Sequence, residues 1–90
     1  MEKDEAPVLP PVMRLEWVDS FIAEAGWHDQ EDVADLMPAM VSSAGFLVDE
    51  DDRYVRLALS MYEVGGRRHV SGITVIPTCS VRRREPLTSF

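Results

Sequence analysis

Ninety residues make one small domain, close to the size at which a core still forms without disulfides or metals. A composition 46% hydrophobic and 28% charged excludes a disordered chain, and no apolar run approaches the roughly 20 residues that span a bilayer. The net charge of -7 opposes non-specific binding to duplex DNA, whose affinity comes mainly from neutralising phosphates.

That total hides an asymmetry. Residues 1–52 hold fourteen acids against Lys3 and Arg14, a net of -12, whereas residues 53–90 hold seven arginines against Glu63 and Glu85, a net of +5. Cys79 is the only cysteine, so an internal disulfide and a cysteine-based zinc site are both excluded, and a lone core or near-surface thiol is expected. The acidic, proline-containing start does not resemble a basic segment leading into an apolar signal. A cytoplasmic protein is expected.

Residues 1–11, with Pro7, Pro10 and Pro11, carry no periodicity and are read as a disordered arm, leaving 12–90 as the single domain. From Val12, Met13, Leu15 and Trp17 alternate with Arg14, Glu16 and Val18, the period of a half-buried strand. Asp19 and Ser20 then offer capping oxygens to a short helix over 21–25. Asp29 caps a second helix ending near Met37, in which Val33, Leu36, Met37 and Met40 form one apolar stripe; Pro38 prevents its extension. Residues 41–48 read as strand two, with Gly45 marking a bend or a close backbone approach, and the acidic run 49–52 as a solvated turn. In strand three, Val55, Leu57, Leu59 and Met61 face the core. Gly65-Gly66 supplies a tight hairpin, strand four returns through Ile73 and Ile76 to stop at Pro77, residues 78–80 turn, and 81–87 form strand five.

Five short strands with helical material between the first two predict a mainly β fold (α+β), a small five-stranded SH3-like or Sm-like barrel whose closure removes exposed edges. If the barrel stays open, a second copy is expected on its free edges, giving a homo-oligomer.

The residues Trp17-Val18-Asp19-Ser20, Gly26-Trp27, Ser43-Ala44-Gly45-Phe46-Leu47-Val48, Glu50-Asp51-Asp52, Val55-Arg56-Leu57-Ala58 and Ile76-Pro77 resemble those of short bacteriophage and prophage accessory proteins. The resemblance covers roughly residues 12–85. It implies a context: small interaction modules that alter a host process or neutralise a defence, some by sequestering signalling nucleotides. It carries over no binding residues.

Chemistry-bearing constellations are sparse. The acidic run lacks the twelve-position calcium loop. His28 and His69 are the only histidines and share no ligand spacing, so no metal is expected. None of the serines lies in a nucleophile elbow, and the only lysine, Lys3, follows no phosphate-binding loop, so neither an enzyme nor a cofactor is expected. Arginine is the informative polar residue, eight against one lysine, because its planar fork grips phosphate and stacks on bases. Two targets follow for a non-enzymatic binding module. A small anionic nucleotide would be held by Arg67, Arg68 and Arg83 with Trp27 and Tyr54; a host protein would be met by Asp29, Glu31, Asp32 and Asp35, together with the run Asp49 to Asp52. RNA binding on an Sm-like barrel ranks below these, and a minor virion component is a further alternative.

Overall fold

The structure, a computed structural model, describes residues 9–87. The expected arm therefore falls largely on residues outside those described, but Pro11 is already tied in: its carbonyl accepts from Leu47 N–H at 2.8 Å. The strands are β1 (Val12–Asp19), β2 (Ala39–Glu50), β3 (Tyr54–Val64), β4 (Arg67–Pro77) and β5 (Val81–Pro86), with one short helix, α1 (Gln30–Val33), and a 3-10 turn at Thr78–Ser80. They form one antiparallel sheet in the order β4-β3-β2-β1-β5. The mainly β expectation is met. Closure into a barrel is not: β4 and β5 are the two outer strands, and no ladder joins them among the described residues.

Gly45 explains how the sheet is organised. A Cβ on it would sit 2.6 Å from the carbonyl oxygen of Ala58, so only glycine lets the β2 and β3 backbones meet this closely. Around this point β2 changes partner: residues 39–46 pair with β1, residues 46–50 with β3. Beyond Ala58, β3 has only β4 beside it, and the pair continues as a two-stranded hairpin to Gly65-Gly66. Both glycines take positive φ, 61° and 77°, as the tight turn requires.

The core is correspondingly small. Leu15, Val55, Leu57 and Ile76 form the buried cluster, with Met13, Trp17, Leu47 and Val81 packed around it, and Trp17 Nε1 donates to Ser43 Oγ at 3.1 Å. Leu59, expected to face this core with Val55 and Leu57, is instead 71% exposed, because no β2 residue lies beside it. The other expectations corrected are helical. Residues 21–25 form no helix: five residues with nothing packed over them cannot repay the nucleation of a turn. The second helix does start at Asp29, whose carboxylate accepts from Glu31 N–H at 3.0 Å, but ends after Val33. The turn after β2 is also shorter than expected, since Asp49 and Glu50 belong to the strand.

Ion pairs link elements far apart in sequence. Arg14 of β1 grips Glu85 of β5 at 2.8 Å, Arg84 of β5 reaches Glu50 of β2 at 2.8 Å, and Arg56 of β3 meets Asp49 at 2.7 Å. Asp51 closes the β2–β3 turn by accepting from the N–H groups of Arg53 and Tyr54, both at 2.8 Å.

Candidate contact surface

The segment between β1 and β2, residues 20–38, contains only α1 as regular structure and is anchored at both ends where Asp19 pairs with Ala39. Its apolar side chains do not join the core. Phe21, Ile22, Trp27, Leu36 and Met37 are all exposed, Ile22 at 91% and Trp27 completely. The stripe of Val33, Leu36, Met37 and Met40 expected on one helix does not form, since only Val33 is helical, and all four side chains are exposed. Trp27 was singled out in sequence as a candidate ligand-binding residue, with the arginines. Phe21, Ile22 and Met37 were not, and the signal available was brevity: neither helical stretch is long enough to hold an apolar face against a sheet.

Within this loop Phe21, Ala23, Leu36, Met37 and Pro38 line a depression of about 200 Å³. Drug-sized ligands occupy pockets from about 300 Å³ upward, so the depression suits one large side chain better than a nucleotide. The same segment carries Asp29, Glu31, Asp32 and Asp35, all exposed. None takes part in the ion pairs found among the described residues, in contrast to Asp49, Glu50 and Asp51. His28, in the same loop, lies 2.9 Å from the Glu24 carbonyl oxygen through Nε2.

The residues proposed for a nucleotide are not brought together. Arg67 and Arg68 open β4 at the hairpin turn, whereas Arg83 lies on β5, opposite Glu16, at the other edge of the sheet. Tyr54 stands opposite Pro77 with the Arg56 guanidinium 5.4 Å above its ring, and Arg56 is engaged with Asp49 and Asp51. Arg68 lies 3.7 Å from Glu63. Trp27 is on the loop, apart from all of them in the topology. His69 stacks on Tyr62 with ring centroids 4.8 Å apart, and Cys79 is exposed. Among the described residues no group of three or more potential metal ligands converges, and no helix is long and apolar enough to cross a membrane.

Pairing makes the carboxylates of Glu85, Glu50 and Asp51 more acidic. Hydrogen bonding and charge from Arg14 hold Glu85 below its ordinary 4.5; the Arg84 hydrogen bond does the same for Glu50, and the backbone N–H groups of Tyr54 and Arg53 hold Asp51 below 3.8. Because these groups are more acidic folded than unfolded, the unfolded chain takes up protons first on acidification. Their contribution is complete at neutral pH and is lost as the pH falls through the carboxylate range. The thermal midpoint is therefore expected to be level from about pH 7 to 5 and to fall below about pH 4, by a modest amount since all three are solvent-exposed and salt-screened. Glu85→Gln should flatten the decline; a midpoint unchanged down to about pH 3 would remove these pairs from the stability of the fold.

No known protein family, curated protein or solved structure matches the chain.

Proposed function

We propose that this chain is a non-enzymatic binding module and that the loop at 20–38 is its contact surface, recognising a protein face that presents apolar and cationic groups. The observation that carries the reading is the exposure of Trp27, Ile22 and Met37 on one segment, whose carboxylates Asp29, Glu31, Asp32 and Asp35 take no part in the ion pairs found among the described residues. An exposed tryptophan is a common anchor of a protein interface, and acidic residues on the same segment select partners by charge. The strand order and the 3-10 turn before β5 support reading the scaffold as a small SH3-like or Sm-like barrel, left open. The resemblance to bacteriophage accessory proteins supports a bacterial host protein as the target.

Native mass spectrometry after incubation with lysate of a bacterial host tests this. A host polypeptide bound by the wild type and lost in Ile22→Asp/Trp27→Ala is the expected outcome. An added mass of nucleotide size that persists in that variant and disappears in Arg67→Ala would replace the reading with nucleotide sequestration.

A further inference from the structure

The hairpin beyond Ala58 is unusual in being apolar and uncovered. An isolated two-stranded hairpin is at best marginally stable in water, yet this one exposes Leu59, Tyr62, Val64, Val70 and Ile73. Directly opposed residues share a face, so the pairs Val64–Arg67, Tyr62–His69 and Ala58–Ile73 gather Tyr62, Val64 and Ile73 on one side together with Arg67 and His69. No carboxylate lies on that side from Ala58 to the turn, since Glu63 sits on the opposite side with Arg68. An apolar face with a cationic end is the chemistry that the loop at 20–38 is built to meet.

We infer that two copies of this chain associate by seating the Tyr62, Val64 and Arg67 face of one hairpin on the 20–38 loop of the other. This rests on the reading of the loop as the contact surface. Three observations support a second copy as occupant. The two surfaces are both apolar and carry opposite charge, Arg67 against Asp29, Glu31, Asp32 and Asp35. In a reciprocal contact each copy contributes both its 20–38 loop and its hairpin face, together of the order of the about 20–30 residues that form one side of a stable interface. The depression lined by Phe21, Leu36 and Met37 accepts a single large side chain, and Tyr62 is the large exposed side chain on the hairpin face. Exchanged reciprocally, hairpin on loop is an isologous contact that closes a two-fold dimer; passed onward it is heterologous and gives a ring if the rotation closes and a filament if it does not.

Sedimentation equilibrium of the full chain across a concentration series at low salt tests the inference. The wild type is expected to associate, with Tyr62→Ala and Arg67→Glu each weakening association about tenfold or more. Adding Glu31→Arg and Asp32→Arg to Arg67→Glu should restore it, which a folding defect would not. Three results overturn the inference. If Ile22→Asp/Trp27→Ala abolishes association but the hairpin variants do not, the loop remains the contact surface and the hairpin is not its occupant. If the hairpin variants weaken association and the loop variant does not, the hairpin seats elsewhere. A monomer at every concentration removes the homotypic contact and leaves the loop reading to the lysate experiment.

Discussion

Leu15→Ala is expected to lower the unfolding free energy by about 2–5 kcal/mol, a typical cost for truncating a buried leucine. Leu15 is completely buried on a central strand flanked by β2 and β5, and it packs with Val55, Leu57 and Ile76. A domain of this length has about 5–13 kcal/mol in total at the usual stability per residue. A core of four large apolar side chains with four more around it places this one toward the lower end, so a single truncation removes a large share. Leu59→Ala is the matched control: the same change, in a strand whose alternation groups it with Leu57, at a position exposed to solvent. Urea titration followed by circular dichroism should show a large fall in midpoint for Leu15→Ala and a small one for Leu59→Ala. Equal losses would mean that the hairpin beyond Ala58 is covered in solution.

At Gly45 the expected effect comes from overlap rather than a cavity. Its Cβ would fall 2.6 Å from the Ala58 carbonyl oxygen, a backbone atom with no rotamer to change. Gly45→Ala should therefore cost about 1–3 kcal/mol, the range for overpacking a filled interior, and Gly45→Val more. At this size each kcal/mol corresponds to about 4–8 °C in the thermal midpoint, so calorimetry resolves the change easily. An unchanged midpoint in Gly45→Ala would show that β2 and β3 do not approach this closely, and with it would go the reason β2 changes partner there.

What could be read from sequence followed the range of the interaction. The Gly65-Gly66 turn, the Asp29 cap and the alternation of β1 are local, and each stands where it was expected. Leu59 shows where this stops: a period of two shows that a strand has two faces, but burial of either depends on a neighbouring strand, and β2 has turned away by then. The stripe of Val33, Leu36, Met37 and Met40 fails similarly, since helical spacing does not supply a sheet to lie on. For the site, the gathering of Trp27 with Asp29, Glu31, Asp32 and Asp35 on one exposed segment was legible. The arginines were not, because their pairing depends on strand order: Arg14 and Glu85 are 71 residues apart in sequence and meet only because β5 lies beside β1.

That neighbourhood of first and last strands also orders the assembly of the molecule in time. The β3–β4 hairpin needs only a two-residue turn and forms on a timescale of about microseconds, while the β1–β5 ladder must close a chain segment of some tens of residues before any of its hydrogen bonds form. Val81 of β5 packs on the central cluster, so the interior is finished only when that last strand arrives. Until then the nascent chain displays Tyr62, Val64 and Ile73 on a formed hairpin beside an unfinished body, and encounters between chains at this stage compete with the completion of each one. Concentration during refolding is thus a variable that this topology makes matter, and slow dilution favours the finished sheet.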